Sequence, residues 1–237
     1  MTRLAWFITA TDTGAGKTTI TAGLAAALRR LGRNVGVMKP IETGCGEDGE
    51  SLVAADAAAL KAASGSDDPL YLINPYRFAR PLSPRLSARL EGAVIDFGRI
   101  LAAYDALSRK HDLMLVEGAG GLLAPVADDK TMADVAALLG LPVVIVAPSR
   151  LGVINHALLT VEAAHGRGIK VSGIILNNPA QPGGRDESGR HNRAEIERLA
   201  KPPVLGEVGF MRDASALSPE EESVFDGIAT ALAAPRK

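Results

Sequence analysis

The segment Ala10-Thr11-Asp12-Thr13-Gly14-Ala15-Gly16-Lys17-Thr18-Thr19 carries the clearest chemistry in the chain. It follows an apolar run, Leu4–Ala10, and precedes a helical pattern with Ile20, Leu24, Leu28 and Leu31 on one face. A phosphate chain is held by backbone N–H groups pointing inward, by glycines that permit that path, by a helix N-terminus and by a lysine on the terminal phosphates. The loop offers all four, and Thr18 after Lys17 puts a hydroxyl where Mg²⁺ accompanies such phosphates. Thr11 occupies the first glycine position of the strict Gly-x4-Gly-Lys-[Ser/Thr] pattern, so this loop is a variant of it. A tight strand-to-helix turn with a chance Gly-Lys-Thr is the plain alternative; the flanking elements favour a nucleotide.

Other polar residues stand where such a site would recruit them. Glu117 closes the apolar run Leu113–Val116 and opens Gly118-Ala119-Gly120-Gly121, where small residues let a ligand approach the backbone. A carboxylate there suits a metal beside phosphates. Lys39 ends the run Val35–Lys39, next to Pro40, at the carboxyl edge where open α/β sheets bind ligands. A cation there can stabilise a phosphoryl-transfer transition state, although position alone fits a surface lysine equally well. Asn177 ends another run, and its amide either reads a purine edge or caps the turn before Pro179. Asp56 lies in the Ala-rich helical pattern Leu52–Ala63, where by itself it reads as a solvated helix residue. Cys45 has no paired thiol and no evident His or Asp partner, so no metal or nucleophile role is expected of it. His156 reads as a helix or interface packing residue.

The elements that must position these groups follow from the apolar pattern. Strands are predicted over Leu4–Ala10, Val35–Lys39, Leu113–Glu117, Pro142–Ala147, Val171–Leu176 and Val204–Val208, mostly continuous in Val, Ile and Leu. Such runs alternating with helical patterns predict a doubly wound α/β fold, a mostly parallel sheet with helices on both faces. Phe97, Ile100, Leu101, Tyr104 and Leu107 mark one helix face. Ser218-Pro219-Glu220-Glu221 supplies an N-cap, a proline at the first helical position and a capping-box glutamate before a stripe of Val224, Ile228 and Leu232. No repeat and no dividing linker interrupts the 237 residues, so one domain over residues 1–237 is expected. Pro179–Arg190, rich in Pro, Gly and charge, reads as a mobile excursion between a strand and a helix.

Composition excludes several classes. With 47% hydrophobic and 22% charged residues the chain is globular, not disordered. Lys and Arg total 26 against 27 Asp and Glu, so no basic field exists to hold a nucleic acid. No apolar run approaches the roughly 20 residues of a membrane span. The opening Met1–Ala10, short for a secretory signal, reads as the first buried strand, and the single cysteine fits a reducing cytoplasm.

Taken together these residues resemble the dethiobiotin synthetases, P-loop NTPase-like enzymes that close the ureido ring in biotin biosynthesis. The resemblance runs from Phe7 to about Met211. It rests on Thr11-Asp12-Thr13 before Gly16-Lys17-Thr18, on Lys39-Pro40, Asn74-Pro75-Tyr76 and Ser83-Pro84, and on Val116-Glu117-Gly118-Ala119-Gly120-Gly121. Leu151-Gly152, Ile154-Asn155-His156 and Leu205-Gly206-Glu207 continue it. It implies that Gly14, Ala15, Gly16, Lys17, Thr18 and Thr19 cradle the phosphates of ATP, with Thr13 by the transferred phosphate. Thr18, Asp56 and Glu117 would hold Mg²⁺, with Gly118, Ala119 and Gly120 beside the nucleotide. Asn177 and Asn178 would meet adenine, with Gly209, Phe210 and Met211 closing that pocket. Lys39 and Thr43 would meet the substrate 7,8-diaminononanoate. The family works as a homodimer, and Gly152 with Asn155 would receive the substrate carboxylate from the facing subunit. The implied reaction adds CO2 (supplied as bicarbonate) to one amine, phosphorylates the carbamate with ATP, and closes the ring with loss of phosphate. Mg²⁺, Lys17 and Lys39 would neutralise the charge in transfer.

Three departures stand out: Ala10 where the family loop often starts with Gly, Thr43 where serine is common, and Arg85 where some relatives have His. Two other readings compete. ATPase switches of the chromosome- or septum-positioning type share the fold and Gly-x-Gly-Lys-Thr-Thr, but carry a second lysine where this chain has Asp12. Amide-forming ligases of the cobalamin pathway need a glutamine-hydrolysing domain for which this chain has no room.

Overall fold

The computed structural model describes residues 4–49, 51–178, 186–211 and 216–234. The chain opens with β1 (Leu4–Ala10), α1 (Lys17–Arg30), β2 (Val35–Met38) and the short strands β3 (Ile41–Thr43), β4 (Gly46–Asp48) and β5 (Ser51–Val53). There follow α2 (Ala55–Ser64), α3 (Leu70–Ile73), β6 (Tyr76–Phe78), α4 (Pro84–Leu90) and α5 (Phe97–Ser108). The second half alternates β7 (Leu113–Glu117), α6 (Met132–Leu138), β8 (Val143–Pro148), α7 (Val153–His165), β9 (Val171–Asn177), α8 (Gly189–Leu199), β10 (Val204–Val208) and α9 (Pro219–Ala233).

Six strands form one parallel sheet in the order β10-β9-β8-β1-β7-β2. Every residue of β7, β8 and β9 is buried, as continuous β-branched runs require when both faces are covered. All six predicted strands are present, with shifts of one residue at four of their ends. Two small pairs lie outside the sheet, β3 with β6 and β4 with β5, and neither was evident in the apolar pattern.

The helix stripes need two corrections. Ile20, Leu24 and Leu28 are fully buried, but Leu31 is the C-cap of α1 and 47% exposed. On α9 the capping box at Ser218 and Glu221 forms as expected, yet Phe225 takes the core position and Val224 faces out. The reason is close approach: a Cβ on Gly23 of α1 would lie 2.3 Å from the Phe225 ring, so the ring occupies the room that glycine leaves. The pattern read as one helix from Leu52 divides, with Leu52 in β5 and the helix starting at Ala55. Of the segment Pro179–Arg190, residues 179–185 lie outside the described residues, and α8 begins at Gly189.

At the edge away from the strand carboxyl ends, Asp68 is buried in a polar cluster. It accepts from Lys110 Nζ at 2.8 Å and Ser66 Oγ at 2.6 Å, with His111 Nε2 at 2.5 Å. Burial alone would raise the Asp68 carboxyl; the hydrogen bonds from Lys110, Ser66 and His111 outweigh it and bring it down to about 2. A depressed carboxyl contributes stability that is full above the ordinary aspartate value, near 4, and is lost as pH falls toward 2. The shift corresponds to about 2 kcal/mol. Asp68→Asn should therefore lower the melting temperature at pH 7 by about 4–8 °C. Melts between pH 5 and 2 should show the gap to the parent closing as the carboxyl protonates; a gap that stays constant would remove this account.

Candidate active site

The site lies at the carboxyl edge of the sheet, where β1, β7 and β2 end side by side. Ile8 pairs with Glu117 and Met38 with Val116, so Glu117 and the residue after β2, Lys39, stand next to the loop that leaves β1. Lys39 is thus one residue past its strand. Its N–H donates to Ile73 O at 2.8 Å, and its own carbonyl accepts from Asn74 Nδ2 at 2.8 Å, which fixes the backbone there.

The loop enters α1 through Gly16, a left-handed N-cap with φ 86°. A Cβ at Gly16 would come within 2.1 Å of Asn177 Nδ2, so both the torsion and the contact demand glycine. Among the described residues no side chain caps α1, so the N–H groups of its first turn are placed to meet an anion. Asn177, 3% exposed, donates Nδ2–H to Ala15 O at 2.8 Å and thereby ties the end of β9 to the loop. This contact with the phosphate loop is a third use of the amide, beside the purine edge and the turn cap that the sequence suggested.

Charge is concentrated below the loop. Glu117 is fully buried; its Oε1 accepts from Thr18 Oγ1 at 2.8 Å and from Lys39 Nζ at 2.5 Å, and its Oε2 has no partner. Lys39 Nζ also reaches Asp56 Oδ2 at 2.9 Å. Burial by itself would lower the Lys39 pKa, but the charges and hydrogen bonds of Glu117 and Asp56 outweigh it and hold the ammonium above the ordinary lysine value. Lys17 goes the other way. Burial first, then the Lys39 charge, lower it to about 8, against the opposing pull of Glu117, Asp56 and Asp12. Lys17 is therefore the less compensated of two neighbouring cations, and a phosphate anion is what its surroundings lack.

Around these groups is a cavity of about 380 Å³. The phosphate loop lines it with Thr13, Gly14, Gly16, Lys17, Thr18 and Thr19; Lys39, Glu42, Thr43, Asp56, Glu117, Ala119 and Gly120 complete the wall. Thr18, Asp56 and Glu117 offer only oxygen donors, and the buried, unpartnered Oε2 of Glu117 calls for a cation, so the set fits Mg²⁺. Among the described residues no group of three or more His, Cys, Asp or Glu could hold a metal alone.

Other predicted residues stand apart from this cavity. At Gly118 a Cβ would meet the Phe7 ring at 2.8 Å, so the core fills the side-chain side of this residue. Asn178 joins β9 to β10, its N–H on Val208 O at 2.9 Å and its Nδ2 on Glu207 Oε1 at 3.0 Å. Gly209 is exposed, with Phe210 and Met211 half-buried, just past β10. Gly152 and Asn155 lie at the exposed start of α7 and do not line the cavity. His156 is exposed there too, which removes helix packing and leaves an interface as its reading. Arg85 is paired at the surface with Asp128. Cys45 is buried, and burial pushes its thiol up, away from a nucleophilic thiolate.

Two residues of the site carry roles the sequence did not reveal. Asn74 is fully buried and donates to the carbonyls of Lys39 and Tyr76, at 2.8 and 2.9 Å, so it holds the Lys39 backbone. Glu42, 5% exposed, lines the cavity and accepts the backbone N–H groups of Asp56 and Ala57. The available signal was Ala54: a helix starting after alanine has no side-chain cap of its own, so one must come from elsewhere.

Comparison with known proteins separates fold from chemistry. The AAA domain family matches residues 5–218. Among solved structures, MinD of Aquifex aeolicus in its complex with MinC aligns over 99% of this chain and 98% of that one, with TM-score 0.60 and 17% identity. The septum site-determining protein MinD of Pyrococcus horikoshii OT3, complexed with Mg-ADP, aligns over 98% and 96%, with TM-score 0.56 and 18% identity. Identities that low establish the P-loop NTPase-like fold and nothing finer. Sequence relatives decide further. An ATP-dependent dethiobiotin synthetase of Anaeromyxobacter sp. (strain Fw109-5) is 44% identical over 207 residues, covering 87% of this chain and 90% of that one. One of Bacillus subtilis (strain 168) is 38% identical over 201 residues, 85% of each. Likeness of that degree over most of both chains, where the switch ATPases share only the fold, means that this protein belongs to the ATP-dependent dethiobiotin synthetases and is a cyclo-ligase that uses ATP.

Proposed function

We propose that this single domain carboxylates 7,8-diaminononanoate with CO2 and closes the ureido ring at the expense of MgATP, releasing ADP and phosphate in the cytoplasm. The observation that carries the reading is the Lys39 ammonium held between Glu117 and Asp56, beside an uncapped helix N-terminus and the under-compensated Lys17. Lys17 and the first-turn N–H groups of α1 would bind the phosphates, with Thr13 at the mouth of the loop next to the transferred group. Thr18, Asp56 and Glu117 would hold Mg²⁺, which supplies neutralisation of the phosphate charge when bound. Lys39 and Thr43, on the facing wall, would meet the carbamate oxygens as negative charge moves onto them. Asn177 and Asn178 with Gly209, Phe210 and Met211 would form the adenine side. Catalysis of this kind is mostly positioning and electrostatics, and a water-poor wall with fixed charges is suited to it.

The exposed face of α7 supports a homodimer. Leu151, just before the helix, is 82% exposed and Leu159, on it, 55%; Leu159, Thr160 and Ala163 line a cavity of about 280 Å³ with Asp12 and Thr13 of the loop. A second copy seated there would bring its Gly152 N-cap and Asn155 to the open side of the site. Uncapped N–H groups at a helix start suit a substrate carboxylate.

ADP release should require both the diamine and bicarbonate, with product formed in step. Hydrolysis that proceeds equally without diamine, and rises with DNA or liposomes instead, would favour a switch ATPase. Sedimentation should show a dimer, and a fully active monomer at working concentration would rule out shared sites.

The two lysines should separate. Lys17→Gln should weaken ATP binding and slow transfer together, whereas Lys39→Gln should keep ATP affinity and lose about 10²–10³ in turnover. Because Lys39 neutralises a buried carboxylate, Lys39→Gln should also destabilise the fold by about 3–5 kcal/mol. Adding Glu117→Gln should restore the melting temperature without restoring the rate. Near-normal turnover in Lys39→Gln would refute the catalytic assignment.

A further inference from the structure

Helix α2 starts after Ala54, which has no polar side chain to cap it. Its first-turn N–H groups are met instead from β3: Glu42 Oε1 accepts Asp56 N–H at 2.9 Å and Oε2 accepts Ala57 N–H at 3.0 Å. A serine, threonine or aspartate at position 54 would satisfy a helix start locally. Here a carboxylate is buried for the purpose, within the cavity wall that also holds Asp56 and Glu117, at a desolvation cost that raises its own pKa. What this arrangement adds over a local cap is a rigid link between two segments. It ties the start of α2 to the strand that leads from Lys39 to Thr43. Asp56 depends on that link. Its side chain is 41% exposed and is held at its far end by Lys39 Nζ, so its backbone anchor sets where the carboxylate stands.

We propose that Glu42 is a positioning residue of this site: by capping α2 through both oxygens it fixes Asp56 against the phosphate loop and so sets how tightly the divalent cation of the nucleotide is held. The inference rests on Asp56 as one of the groups that hold that cation. Glu42 is not placed among the groups that hold the ion; each of its oxygens accepts a backbone N–H of α2. A plain cap and a positioning residue differ in what they predict. The first affects the folded state alone, while the second changes the benefit that Mg²⁺ confers on nucleotide binding.

The test is calorimetric binding of ADP to the full-length protein, with Mg²⁺ and with EDTA, for the parent, Glu42→Gln and Asp56→Asn. In Glu42→Gln an amide N–H₂ faces one of the two helix N–H groups, so the first turn loses half its anchor. The affinity gained from Mg²⁺ should drop about tenfold in Glu42→Gln and at least as much in Asp56→Asn, the effect expected of a group that orients a metal ligand. ADP affinity in EDTA should stay at the parent's level in both. If Glu42→Gln fails to fold, Glu42→Asp, which withdraws the carboxylate by one CH₂, is read in the same way. Loss of the Mg²⁺ gain in Asp56→Asn but not in the Glu42 variant overturns the inference and leaves the cation reading intact. Retention of the gain in both variants overturns the two together. Equal weakening with and without Mg²⁺, or a loss in the Glu42 variant alone, shows that Glu42 does not act through Asp56 and also overturns it.

Discussion

Burial of the Lys39–Glu117 pair is the constraint around which the rest of the site is arranged. Moving two charges out of water costs several kcal/mol each, and their attraction offsets this only when geometry is tight and the remaining polar atoms are met. The sheet supplies the geometry. With β7 between β1 and β2, the end of β7 faces the loop from one neighbour and the lysine from the other, and no side chain needs to reach far. Asn74 and the Ile73 carbonyl then hold the Lys39 backbone, while Thr18 takes the second contact on Glu117 Oε1. Of the pair's own atoms, Glu117 Oε2 is left without a partner among the described residues, and it stands where the proposed Mg²⁺ would be held.

The same pair sets the state of Lys17. Two ammonium groups near each other in a dry site compete for the same carboxylates, and Lys39, in contact with both, has the larger share. Lys17 is left with a lowered pKa and a vacant electrostatic demand that an anion fills. In the proposed function, affinity for phosphate would come from a deficit at Lys17, produced first by burial, rather than from a simple basic patch. A net charge of −1 for the whole chain is no obstacle to anion binding on these terms.

Much of this was legible in the residues because it depends on short-range pattern. Strand runs of Val, Ile and Leu, the Gly16-Lys17-Thr18 turn and the Ser218 capping box each act within a few residues. What the sequence hid depends on approach between distant segments. Val224 and Phe225 fit the α9 stripe equally by period, and only the groove left by Gly23 decides between them. Gly118 reads as room for a ligand, and the Phe7 ring fills its side-chain side. Asp56 reads as a solvated helix residue because its partner, Lys39, lies 17 positions away. Glu42 and Asn74 act on backbone groups, which carry no residue-specific signal, so neither could be assigned by type and spacing.

The contrast with the septum-positioning ATPases shows why fold and chemistry separate here. The parallel sheet and the uncapped helix start make a phosphate site in either case, since both follow from backbone alone. What differs is where charge is fixed around it. Early in the loop, Asp12 accepts the Thr13 N–H at 2.7 Å and lies 3.5 Å from Arg150. With an anion there, the positive charge that the proposed transfer calls for would come from another element of the fold. Lys39 would supply it from the end of β2, on the wall shared with Thr43 rather than within the loop. In the proposed reaction a cation so placed would serve nucleotide and second substrate together, an arrangement that suits a ligase better than a hydrolytic switch.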